Sequence, residues 1–169
     1  MRAVVVVLGL VALSARGDEG EGNRFRARLV GGEETPAIFT PGTGRFSARV
    51  VDGDTRIEFT VSWFNLTSAP TVAHVHIGQR GVAGAVSYFL CGGGGKPACP
   101  AAASATVSGS VVAADVLGPA AQGIEPGDLA AVLTMTRAGL TYANVHTPAH
   151  PGGEIRGQLK PRGDDDDDD

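Results

Sequence analysis

The four histidines of the chain fall in two short motifs, Ala73-His74-Val75-His76-Ile77-Gly78 and Asn144-Val145-His146-Thr147-Pro148-Ala149-His150-Pro151-Gly152-Gly153-Glu154. On a β-strand, residues i and i+2 face the same way, so His74 and His76 project together while Val75 points to the opposite face. Two adjacent imidazoles are a ready nitrogen pair for zinc or copper. His146, at the end of a strand, and His150, in the loop after it, are the candidates to complete the set. Imidazole also suits nickel and iron, so the residue types alone do not choose the metal. The competing reading is structural: strand histidines that donate to backbone carbonyls and cap a polar cluster at a sheet end.

Three polar residues stand close to the second motif. Glu154 and Arg156 lie two apart on the last strand and are placed to form an ion pair on one face, holding loop to sheet. The alternative is a screened surface pair worth about 0–1 kcal/mol. Asn144 is a further supporting candidate. The glycines before Glu154 mark a tight backbone approach or torsions that other residues do not tolerate. Asn65-Leu66-Thr67 matches a glycosylation acceptor, a triplet frequent by chance.

The elements that must position these residues are mostly strands. Arg24–Val30 alternates Phe25, Ala27 and Leu29 with three arginines, the period of a half-buried strand. Arg45–Val51 and Thr55–Phe64 flank Asp52-Gly53-Asp54 and predict a hairpin. Further strands are predicted at Val72–Ile77, Ala85–Leu90, Ala105–Val112, Leu140–Val145 and Glu154–Leu159. One helix is predicted, capped by Asp128 and running to about Thr136, with Leu129, Val132 and Leu133 at helical spacing. Seven or eight short strands and one short helix predict an all-β fold, an immunoglobulin-like or Greek-key β-sandwich whose helix covers an open end or edge.

The ends of the 169-residue chain read differently. Arg2 followed by the apolar run Ala3–Leu13 and small residues predicts a secretory signal over residues 1–15, too short to span a bilayer. A buried N-terminal strand is the alternative. Residues 16–23 read as a flexible leader, 24–161 as one β domain, and 162–169 as an acidic tail predicted to be disordered. Asp164–Asp169 are six consecutive aspartates, a solvated block or a weak, diffuse calcium binder. Without them the net charge of −4 becomes slightly positive, and no contiguous Lys/Arg block is present. The composition therefore gives no support to nucleic-acid binding.

Cys91 and Cys99 flank Gly92-Gly93-Gly94-Gly95-Lys96-Pro97-Ala98, a loop that no core orders unaided. In an exported protein a disulfide closing it is the natural reading, worth about 2–3 kcal/mol. A two-thiol metal site is the alternative, although zinc sites usually use closer spacing or four ligands.

The same residues carry a family likeness. Ala73-His74-Val75-His76, and the long stretch from Tyr142 through His146, His150 and Glu154-Ile155-Arg156-Gly157-Gln158-Leu159, resemble the CHRD domain. The opening Phe25-Arg26-Ala27-Arg28-Leu29 and Gly32-Glu33-Glu34-Thr35-Pro36 resemble its start. The Cys91–Cys99 insert and the aspartate tail lie outside that pattern. The resemblance implies an extracellular immunoglobulin-like or Greek-key β domain and says little about activity. A local likeness links the His-x-His strand to copper–zinc superoxide dismutase, without that enzyme's full ligand series or its arginine motif.

Two function classes follow. The first is a secreted or periplasmic, non-enzymatic binding or structural domain, stabilised by a metal held in the histidine cluster. It would have an extracellular protein, matrix or mineral partner, or self-associate. The second is a copper or zinc metalloprotein with redox activity like that of superoxide dismutase. No Gly-x-Ser-x-Gly, P-loop or dinucleotide fingerprint is present.

Overall fold

The computed structural model describes residues 22–162. The expected signal (1–15), most of the leader and the six aspartates lie outside them. The strands are β1 (Arg24–Val30), β2 (Thr43–Val51), β3 (Arg56–Phe64), β4 (Val72–Ile77), β5 (Ala85–Cys91), β6 (Ala105–Val112), β7 (Thr141–His146), β8 (Ile155–Gln158) and β9 (Lys160–Pro161), with one α-helix, α1 (Leu129–Arg137). Asp128 caps α1 by accepting from the Ala131 N–H at 2.9 Å.

All strand pairs are antiparallel and run in the order β5-β4-β7-β8-β1-β2-β3-β6, with β9 paired to β1. The all-β class and the single short helix match the sequence reading. The arrangement differs from two packed sheets: the strands form one continuous, nearly closed, barrel-like sheet. The reason for the difference is physical. Alternation determines which face of a strand is buried but carries no information on which strand lies beside it.

The inner face holds the core. Phe25, Leu29, Phe46, Ile57, Val61 and Trp63 from β1–β3 meet Val75, Ile77, Val145 and Ile155 from the other side, and α1 adds Leu129, Val132 and Leu133. The Trp63 indole N–H, which burial would leave costly if unpaired, donates to the Ala102 carbonyl at 3.0 Å. Near the seam between the end strands β5 and β6, Cys91 and Cys99 form a disulfide that closes the polyglycine loop. In the same loop Lys96 donates to the Ser110 carbonyl and pairs with Asp115. Among the described residues no helix is long and apolar enough to cross a membrane.

Candidate metal centre

β4 and β7 are neighbours in the middle of one half of the sheet, and their register builds the site. Ala73, Val75 and Ile77 of β4 and Ala143 and Val145 of β7 belong to the apolar core. Strand alternation therefore puts His74, His76, Tyr142, Asn144 and His146 together on the opposite face. Across the pair, Val72 faces His146, His74 faces Asn144 and His76 faces Tyr142. This second face is not solvated: His74, His76 and His146 are all buried.

The three rings converge. His74 lies 4.5 Å from His76 and 4.4 Å from His146 between ring centroids, and His76 lies 6.3 Å from His146. One nitrogen from each lies within 4.8 Å of those of the other two. His150, the fourth candidate, does not join this group. The segment after β7 turns back on itself through Thr147, whose carbonyl accepts the His150 N–H at 3.0 Å, and the His150 carbonyl accepts from Gly153.

Hydrogen bonding fixes how two of the rings present themselves. The His76 Nδ1 lies 2.9 Å from the Gly84 carbonyl, and the His146 Nδ1 lies 3.0 Å from the Pro151 carbonyl. A carbonyl only accepts, so both Nδ1 atoms carry the proton and both Nε2 atoms keep a bare lone pair. Those Nε2 atoms, and the Nδ1 of His74, are buried without a hydrogen-bond partner. Buried polar atoms are rarely left so, and three in one cluster are a donor set lacking its acceptor. Backbone anchoring of the second ring nitrogen is also how metal-ligating histidines are commonly oriented.

The electrostatics agree with ligand chemistry. Burial, reinforced by the neighbouring His76 and His146, lowers the His74 pKa from 6.5 to about 3. Burial lowers His76 to about 4 against the opposing pull of the Gly84 carbonyl, with His146 and Arg156 adding to the shift. Burial lowers His146 as well, opposed by the Pro151 carbonyl. All three imidazoles are thus neutral near pH 7, the form that binds metal. A consequence follows for the metal-free protein. Below pH 6.5 the unfolded histidines take up protons that folded His74 and His76 refuse until about pH 3–4, so stability falls as the pH drops through that window. Urea midpoints measured from pH 7 to 4 on chelator-treated protein should decline. A flat profile would contradict the buried, neutral assignment.

A layer of aromatic and polar groups surrounds the triad. His74 meets the edge of Phe89 at 5.3 Å. His76 stacks on Tyr142 at 4.6 Å with the ring planes 5° apart, and the Arg156 guanidinium lies 3.4 Å from the centroid of the same tyrosine ring. Because β7 runs between β4 and β8, Tyr142 is held between His76 and Arg156. Its hydroxyl accepts from the Gly84 N–H at 3.0 Å. Gly84 is required there, since a Cβ would fall 1.7 Å from the Ile77 carbonyl oxygen.

Arg156 and Glu154 do not pair as the sequence suggested. Arg156 donates to the Gln79 and Val82 carbonyls and to Thr35, securing the loop that carries Gly84. Glu154, fully buried, accepts instead from the hydroxyls of Thr40, Thr67 and Thr147 and from the Thr67 N–H, at 2.7–2.8 Å. Glu154 lies just before β8 begins, so the i, i+2 alternation assumed from the sequence does not carry over to its side chain.

Glu34 is the residue that sequence reading missed. It lies between a 3₁₀ turn at Gly31–Glu33 and Thr35. It is buried, and burial pushes its pKa up to about 7 against the opposing charge of Arg156 and the Asn144 amide. The Asn144 Nδ2 donates to Glu34 Oε2 at 3.5 Å, while Glu34 Oε1 and Asn144 Oδ1 have no partner. Gly153, at φ 127°, closes this corner: a Cβ on it would lie 2.6–2.7 Å from the Glu34 and Asn144 oxygens.

No curated protein and no solved structure matches the chain. The model of the CHRD domain matches residues 25–159. That span runs from the first strand to just past β8 and contains every residue of the triad and its surrounding layer. The chain therefore belongs to the CHRD domain family.

Proposed function

We propose that this chain is an extracytoplasmic CHRD domain that binds one copper or zinc ion through His74, His76 and His146 in a binding or structural role. The observation that carries this reading is the set of converging, buried imidazole nitrogens without hydrogen-bond partners. The disulfide between Cys91 and Cys99 supports an oxidising compartment. Glu34, Asn144, Tyr142 and Arg156 form the layer that keeps the rings in place. Elemental analysis of protein purified without chelators, followed by zinc and copper titration, tests the proposal. The expected result is one equivalent of metal per chain, removable and restorable. Metal at background level together with no titratable site would overturn it.

One feature favours the redox alternative. Three protein nitrogens leave a coordination position for a water or substrate, as in catalytic rather than closed structural sites. Superoxide turnover by the copper-loaded protein above that of the same amount of free copper would select that reading. Turnover no higher than free copper would select the binding role.

A further inference from the structure

Two of the three imidazoles are held by the backbone and the third is not. The Gly84 and Pro151 carbonyls fix His76 and His146 at Nδ1, whereas the Nδ1 of His74 has no hydrogen-bond partner. Aromatic neighbours set the direction of that ring instead. Phe89 stands directly across from His74 in the register of β4 and β5. The two rings meet at 5.3 Å with their planes 85° apart, the edge-to-face geometry that aromatic pairs favour.

Phe89 is roofed by the disulfide loop. A Cβ on Gly93 would fall 2.4 Å from the Phe89 ring, and one on Gly94 would fall 2.6 Å from it, so only bare backbone can lie this close. Gly92, Gly94 and Gly95 have φ values of 80°, 57° and 78°. Glycine enters and leaves such torsions freely, and ordering it costs more backbone entropy than ordering any other residue. The roof therefore depends on what pins it. Lys96 ties it to β6 through the Ser110 carbonyl and to Asp115. The Cys91–Cys99 bridge ties it to the end of β5, two residues beyond Phe89. Cys91 is buried, but Cys99 is half-buried, so a thiol can approach the Cys99 sulfur.

We infer, on the metal-binding reading above, that the bridge, the polyglycine loop and Phe89 form a clamp that holds His74 in its metal-binding orientation, and that reduction of the bridge opens the clamp and weakens the site. In the switching step one thiolate of a dithiol attacks Cys99, Cys91 leaves as a thiolate, and the second thiol of the reagent then releases Cys99. Two electrons and two protons pass to the bridge, and the dithiol ends as a disulfide. Phe89 is a positioning residue, acting on the metal through His74.

Histidine-ring NMR of the full, metal-free chain tests the clamp. Reduction by a dithiol, with both thiols shown to be free, should broaden or average the His74 ring signals. Those of His76 and His146 should stay in place, and reoxidation should restore His74. An unchanged His74 signal would overturn the inference. So would equal changes in all three rings, which mean a general loosening. Zinc titration of two variants supplies the second arm. Cys91→Ala/Cys99→Ala opens the clamp without adding thiol ligands, and Phe89→Leu keeps the bridge but removes the ring. Each should bind zinc about tenfold more weakly than the wild type, the loss typical of disturbing a group that orients a metal ligand. Wild-type affinity in either folded variant would overturn the inference, and Phe89→Leu decides the matter if the double variant does not fold. Failure of the wild type to bind zinc would remove the metal-binding reading, while the ring signals would still show whether the clamp holds His74.

Discussion

Replacing His76 or His146 with alanine is expected to weaken zinc or copper(II) binding by more than about 100-fold. Disturbing the groups that merely orient a metal ligand typically costs 10–100-fold, and these substitutions remove the ligand itself. Each ring offers a buried Nε2 with no other partner, while its Nδ1 is spent on a carbonyl. No other described side chain joins the group that could take its place. His150→Ala is expected to leave affinity within about a factor of two, because its nitrogens do not belong to the group of three. A thermodynamic signature accompanies the change. Metal at a concentration of 100 times the dissociation constant stabilises a folded protein by about 2.7 kcal/mol. The wild type should gain that increment in urea denaturation and the ligand variants should not. Calorimetric titration provides the affinities. Wild-type affinity in both alanine variants would rule the triad out, and a loss in His150→Ala equal to theirs would show that the loop closes over the metal.

How much of this was legible in the sequence depends on how local the determining physics is. The β4 pair His74 and His76 was readable because strand alternation is a property of consecutive residues. The Cys91–Cys99 bridge was readable because a polyglycine loop needs a closure. The helix was readable from Asp128 and the spacing of Leu129, Val132 and Leu133. Convergence of His146 on β4 depends on β7 pairing with β4, a contact made across more than sixty residues of sequence that no short pattern encodes. His150 lies in a Pro/Gly-rich loop, which offers no periodicity from which to read a direction, and its nitrogens are not in the group formed by His74, His76 and His146. Glu34 entered only as part of the family-like stretch Gly32–Pro36 and gave no sign of a site role, since a glutamate next to Thr-Pro ordinarily marks a solvated turn, whereas this one is buried beside Asn144 and Arg156.

Glu154→Ala is expected to cost on the order of 3–5 kcal/mol, out of a typical domain stability of about 5–15 kcal/mol. A donor left buried without a partner carries a penalty of about 1–3 kcal/mol, and losing one hydrogen bond to an ionised group forfeits about 1.5–3 kcal/mol, while the donors that find other acceptors lose less. Glu154 Oε1 accepts from Thr40 and the Thr67 N–H, and Oε2 accepts from the Thr67 and Thr147 hydroxyls. Hydroxyls turn to find other acceptors, so the Thr67 N–H bears the largest share. Glu154→Gln should cost about half as much, because the amide oxygen can stay at the Oε1 position while the two hydroxyls facing Oε2 rotate to accept from its NH₂. The pH dependence distinguishes the two variants further. Burial pushes the Glu154 carboxyl upward, but its four hydrogen bonds outweigh that and hold it below the usual value of 4.5. A carboxyl depressed in the folded state contributes its full stability above the unfolded pKa and loses it as the pH falls through the folded one. The difference between wild type and Glu154→Gln should therefore be constant near pH 7 and shrink below about pH 4.3. The proposed metal centre should register the same change, since Thr147 and Glu154 anchor the loop whose Pro151 carbonyl orients His146. An affinity loss of about tenfold in Glu154→Ala is the corresponding expectation. Urea denaturation at pH 7 and pH 4, with metal titration of each folded variant, measures all three. A Glu154→Ala protein within 1 kcal/mol of the wild type at pH 7, or a Gln variant as unstable as the Ala one, would show that the threonine cage does not hold this loop.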